Sequence, residues 1–170
     1  MLDALEEVYE CAAIIRYLKT YFSDMEDPGQ AAMDLAESYA WNFHGVGGPH
    51  ASPLYASVYV SKNKATHQAI ERELASIIHA QGLSAENSAG EPYDHLSVIL
   101  EFIAWLDERE EVGQERGFTE KFQQKFIGKY LLSWLVAFKD QCVHADRLGF
   151  YAGLATRTLA FVEADHQQTG

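Results

Sequence analysis

Apolar positions recur at helical spacing almost from one end of the chain to the other. Over residues 3 to 22, Val8, Cys11, Ile15, Leu18 and Phe22 follow one another at steps of three and four, which places them on one helical stripe. Asp27, Pro28 and Gln30 then supply an N-cap, a first-turn proline and a capping-box partner for a second helix, with the stripe Met33, Ala36, Tyr39, Ala40 and Phe43. That helix stops near "HGVGGPH". Residues 44 to 57 hold Gly45, Gly47, Gly48, Pro49 and Pro53, a density of turn formers that predicts a long ordered loop or a hinge. The segment "LYASVYV", which begins inside it, reads as extended chain.

A third helix is predicted from about Thr66 to Gln81 with Ile70, Leu74, Ile77 and Ile78 inward, and Gly82 is suited to stop it. After the polar linker "LSAENSAGE", a helix from Pro92 to about Leu106 carries "LSVILEFIAWL", apolar on nearly every side, as expected of a helix surrounded by others. Beyond the charged turn "DEREEVGQERG", Thr119 is placed to cap a long segment with Phe122, Phe126, Tyr130, Trp134, Phe138 and Cys142 near one face, as one helix or two. A last helix spans roughly 148 to 164, with Phe150, Tyr151, Leu154, Phe161 and Val162. Strand and helix patterns do not alternate and no repeat is present, so the expectation is all-α: one helical bundle over residues 1–170, with a candidate hinge at 44–57.

Charge narrows the partners. Thirteen Lys and Arg against 25 Asp and Glu leave a formal net charge of -12, which repels nucleic acid and anionic membranes and favours a basic partner. The first residues, "MLDALEEVYE", lack the basic start of a signal peptide, and no apolar run approaches the roughly 18 residues of a membrane span. Cys11 and Cys142 form no CxxC pair, which suits a reducing compartment, and the expectation is a cytoplasmic protein.

Enzyme signatures are scarce. The glycines of "HGVGGPH" are not followed by the Gly-Lys-Ser/Thr of a phosphate loop, the seven histidines include no HExxH, and there is no G-x-S-x-G. The exception is "EPYDHL", residues 91 to 96, which crowds Glu91, Asp94 and His95 at the start of the most apolar helix. A helix start needs only one acid for its dipole, worth about 0.3–1 kcal/mol. The surplus polarity fits two roles: acid–base work by Asp94 and His95 in a hydrolase or nucleotide-binding enzyme, or a charge-assisted grip on arginine.

"EPYDHL" followed by "VILEFIAWL" resembles the Glu-Pro-X-Asp-His signature of the TorD/DmsD/NarJ family, chaperones that mature molybdenum-containing redox enzymes. "SPLYASVY" (52–59) resembles the loop of that family, and "DLAESYAWNF" the helix leading into it. Residues 134 to 167 are similar to the C-terminal end of the branch dedicated to trimethylamine N-oxide reductase. The likeness covers about residues 32 to 168. It departs at Val136, where relatives often have proline, and in having only about 31 residues ahead of "AMDLAESYAW", where relatives usually have further helices.

The resemblance implies a cytoplasmic chaperone that does no chemistry and holds no permanent cofactor. It would bind the twin-arginine leader peptide and apo form of a molybdoenzyme, and assist insertion of the molybdopterin guanine dinucleotide cofactor into that partner before export. It also implies a leader-binding surface of Tyr39, Phe43, Pro53, Tyr55, Tyr59, Glu91, Asp94 and His95, with the two acids facing basic groups. A shortened bundle would expose an apolar face, which a homodimer formed by segment swapping across "HGVGGPHAS" would cover. The rival readings are the enzyme just described and a plain interaction module without a maturation role.

Overall fold

The computed structural model describes residues 27–60, 64–84, 90–111 and 116–168; the helix predicted over residues 3–22 lies outside them. Asp27 starts the first helix, α1 (Pro28–Phe43), where its Oδ1 accepts the N–H groups of Gly29 (2.9 Å) and Gln30 (3.1 Å). The Gln30 side-chain amide donates forward to Asp34 at 2.7 Å. The stripe expected to face inward does not: Met33 is 61% and Tyr39 38% exposed, and the buried positions are Ala31, Leu35, Ser38 and Asn42. Two of those four are polar. Asn42 donates to the Ser38 carbonyl (2.8 Å) and hydroxyl (3.2 Å), so this face goes inward with part of its polarity bonded locally, and a purely apolar pattern misses it.

The turn-rich segment is an ordered loop. Gly45 (φ +75°) and Gly48 (φ +57°) take the left-handed conformations of its bends, and a 3-10 turn covers Gly48–His50. Gly47 is required for space instead, since a Cβ there would stand 2.7 Å from the Trp41 carbonyl oxygen. The loop is tied down by the Ser52 N–H on the Asn42 carbonyl (2.5 Å) and by the Gln141 amide on the Ala51 carbonyl. It ends in a short helix, α2 (Ala56–Val60), where extended chain was expected.

Helix α3 (Lys64–Ala80) closes as the sequence predicts. Gly82, at φ +77°, lets its own N–H reach the His79 carbonyl (2.9 Å) and the Leu83 N–H reach that of Ile78 (3.3 Å), a Schellman closure. Helix α4 (Leu96–Glu111) begins four residues later than the predicted Pro92. It buries Val98, Ile99, Phe102 and Leu106 but exposes Glu101 and Ala104, so it lines the core and is not enclosed by it.

The long aromatic segment is one uninterrupted rod: α5 (Arg116–Phe126), a π-helical stretch (Ile127–Leu132) and α6 (Ser133–Ala145). The helix starts before Thr119, which therefore lies inside it and does not cap it. Phe122, Phe126, Tyr130, Trp134, Phe138 and Cys142 are spaced by four, and on a 3.6-residue helix such a row gains about 40° per step. The wider π turn takes back part of that drift. Phe126, Trp134, Phe138 and Cys142 thus all reach the core.

After Asp146 the chain reverses through Gly149 into α7 (Phe150–Gln168), which packs extensively on α6 through Ala155, Leu159 and Val162. The core centres on Leu74, Ile99, Leu131, Trp134, Leu135 and Cys142. The fold is all-α, as expected; among the described residues the only β-type pairing is one isolated bridge, between Tyr55 and His95.

Candidate functional site

That bridge builds the site. The Ala56 N–H donates to the Asp94 carbonyl (2.9 Å) and the Leu96 N–H to the Leu54 carbonyl (2.8 Å), so the loop before α2 lies alongside the turn before α4. The Asp94 Oδ2 then accepts the Ser57 N–H at 3.1 Å. Asp94 therefore sits ahead of α4 and satisfies the N-terminus of α2, where its negative charge also suits the helix dipole. It is 4% exposed. A carboxylate that the sequence places at the start of α4 thereby serves another helix.

His95 takes the position vacated at α4. Its carbonyl accepts the Ile99 N–H (3.1 Å), the first bond of that helix, while its ring Nδ1 accepts the Ser97 N–H (3.3 Å) and lies 2.8 Å from the Ser97 hydroxyl. Because the Ser97 N–H can only donate, the neutral ring carries its proton on Nε2. Asp94 and His95 are thus engaged with Ser57 and Ser97 respectively, an arrangement that gives the acid–base reading no dyad to work with.

Above them lies a half-buried polar patch. The Tyr55 hydroxyl donates to Glu91 Oε2 at 3.4 Å, and its ring meets the His95 ring edge-on, with centroids 5.1 Å apart. Burial first, and then the Glu91 charge, push the Tyr55 phenol above its ordinary value. Next to this, the Tyr93 hydroxyl and His79 Nε2 lie 2.6 Å apart and join α3 to the same turn.

The other residues of the expected surface divide. The Tyr59 hydroxyl donates to the Pro53 carbonyl (2.9 Å) and its ring stacks on Trp134 at 5.5 Å, so burial holds the phenol protonated and both residues brace the loop. Phe43 packs edge-on against Tyr151 at 5.1 Å and Tyr39 at 5.1 Å. Phe138 touches both groups, lying 6.3 Å from Phe43 and 6.0 Å from Tyr59. Glu91, Tyr55, Asp94 and His95 are brought together directly, and Pro53, Tyr59, Phe43 and Tyr39 adjoin them through this aromatic seam.

Sequence reasoning did not single out Asp146. Its Oδ1 accepts the Leu148 N–H (3.1 Å) and the Ser38 hydroxyl (3.1 Å) and its Oδ2 the Ala152 N–H (3.0 Å), which fixes the α6–α7 turn to α1. The signal was a lone aspartate before "RLG", a helix-cap pattern. Among the described residues no group of three or more His, Cys, Asp or Glu is placed to hold a metal, and no helix is long and apolar enough to cross a membrane.

A family model described as the nitrate reductase delta subunit matches residues 6–140. The chain belongs to that family, which includes the TorD and NarJ chaperones, as the "EPYDHL" resemblance indicated. The relatives are more particular. Chaperone protein TorD of Vibrio cholerae strain O395 is 28% identical over 167 residues, covering 96% of this chain and 75% of that protein. TorD of Vibrio parahaemolyticus is 31% identical over 144 residues, covering 83% and 66%, and TorD of Shewanella sp. strain ANA-3 is 32% identical over 148 residues, covering 82% and 65%. All three are named as chaperones, not as enzymes. No solved structure matches the chain.

Proposed function

We propose that this protein is a cytoplasmic chaperone of a molybdoenzyme, most specifically of trimethylamine N-oxide reductase. In this reading it binds the twin-arginine leader and the apoenzyme while the molybdopterin guanine dinucleotide cofactor is inserted, and then releases them for export. The observation that carries the reading is the similarity to TorD chaperones over as much as 96% of the chain. The local chemistry supports it. A leader is a basic stretch followed by an apolar one, and Glu91 meets Tyr55, on the loop that leads into the seam of Tyr59, Phe138, Phe43 and Tyr39. Glu91 makes the charged contact, Tyr55 aims it, and His95 offers its Nε2–H. Asp94 acts from beneath by holding the loop that carries Tyr55.

The test is co-expression of apo trimethylamine N-oxide reductase with and without this chain, followed by cofactor loading. A higher fraction of active reductase with the chain present supports the chaperone; equal fractions, with the chain folded and present in excess, contradict it.

A further inference from the structure

A second cleft, remote in sequence from the "EPYDHL" turn, lies between α1 and the α6–α7 turn. It has a volume of about 190 Å³ and is lined by Asp34, Glu37, Ser38, Trp41, Arg147 and Leu148. The first four recur at the spacing of one helix face. Ser38 is anchored on Asp146, and position 47 must be glycine for Trp41 to lie where it does, since a Cβ there would come within 3.1 Å of the indole. The guanidinium of Arg147 lies over that ring, 3.9 Å from its centroid. It forms no ion pair with Asp34 or Glu37. The cleft thus holds two carboxylates and one cation, in a chain of net charge -12. Its volume is below the roughly 300–1,000 Å³ of small-molecule sites, and suits a single side chain.

We propose that this cleft receives an arginine side chain of a partner polypeptide over Trp41, flanked by Asp34 and Glu37, and that Arg147 occupies the same place in the free chain. The identity of the partner as a twin-arginine leader rests on the function proposed above; the preference for a guanidinium does not. An aromatic face takes a guanidinium by stacking as well as by charge, and carboxylates pair with it as a fork, so arginine is favoured over lysine. Exchange of one guanidinium for another conserves the stacking, and the gain for the incoming group comes from Glu37 and from the Asp34 oxygen that the Gln30 amide does not occupy, neither of which pairs with Arg147. Arg147 then acts as a weak internal competitor.

The experiment follows the indole N–H resonances of the ¹⁵N-labelled full chain, three in number, with Trp41→Phe assigning that of Trp41. The probes are N-acetyl-arginine methylamide, its lysine counterpart and the twin-arginine leader, titrated into wild type, Arg147→Ala and the double variant Asp34→Asn/Glu37→Gln, each checked for an unchanged melting curve. The expected result is that the arginine compound moves the Trp41 signal, at a concentration at least about threefold lower in Arg147→Ala. The lysine compound should act more weakly, and the double variant should lose the response. If Arg147→Gln replaces an unstable Arg147→Ala, the same ordering is expected. An unmoved Trp41 signal with the arginine compound, or weaker binding in the Arg147 variants, would overturn the proposal. Leader binding that leaves Trp41 unmoved overturns this subsite and keeps the chaperone reading; a response to the arginine compound without leader binding keeps the subsite and counts against the leader as partner.

Discussion

The buried carboxylate of Asp94 accepts the backbone N–H of Ser57 at 3.1 Å, across 37 positions of sequence, while the Asp94 carbonyl accepts from Ala56 at 2.9 Å. One residue thereby joins the α4 turn to the loop that carries Tyr55. Asp94→Ala would strand the Ser57 N–H in a buried place, at a cost of about 1–3 kcal/mol. Asp94→Asn keeps an acceptor and should cost less. Chemical denaturation of the two variants checks the order, and equal stabilities for Asp94→Ala and wild type would show that the carboxylate is dispensable to the fold.

Glu91 and Tyr55 should behave in the opposite way, because the Glu91 carboxylate is only half-buried and its bond with Tyr55 is long at 3.4 Å. Glu91→Gln is expected to leave the melting temperature nearly unchanged and to weaken leader binding by about tenfold, the worth of one charge-assisted hydrogen bond. Tyr55→Phe should weaken it less.

Truncations in the core give the stability reference. Leu131 and Leu74 are fully buried, and either one changed to alanine should cost about 2–5 kcal/mol in urea unfolding. Leu100, although it reads as equally apolar in the sequence, is half-buried and should cost less than its neighbour Ile99.

Burial pushes the Cys142 thiol up to about 12, from an ordinary 9.0. In a Cys11→Ser chain, Cys142 should therefore resist thiol reagents at pH 8 until the protein is unfolded. The sign for stability follows from the raised value. The contribution of the neutral thiol is fully present below pH 9 and is lost as the pH rises from there toward 12, because only the unfolded chain gives up its proton in that window. Tyr59, also raised by burial, acts in the same direction. Denaturation midpoints should hold from pH 8 to about 9 and fall from there to pH 11.

Helix existence was legible in the sequence wherever the periodicity was apolar, as in α3 with Leu74 and Ile78 and α6 with Trp134 and Phe138. It misled in α1, where Ser38 and Asn42 go inward with part of their polarity bonded locally and Met33 stays out. The cluster at 91–95 was legible as a surplus of polar groups but not as a structure. Whether Asp94 caps its own helix or another depends on a loop 37 residues away, which no local pattern records. The extended reading of "LYASVYV" failed for the same reason: with its first N–H groups satisfied by Asp94, the segment turns helical. The π-helical stretch was hidden in a row of aromatics whose strict spacing of four a plain α-helix would carry around its axis.

The proposed function rests on recognition of a basic leader by an acidic, non-catalytic chain. It is tested most directly by calorimetric titration with the twin-arginine leader of trimethylamine N-oxide reductase, beside the same peptide with both arginines changed to alanine. Saturable binding to the first is expected, and binding at least about tenfold weaker to the second. Equal binding of both peptides, or of neither, would contradict it.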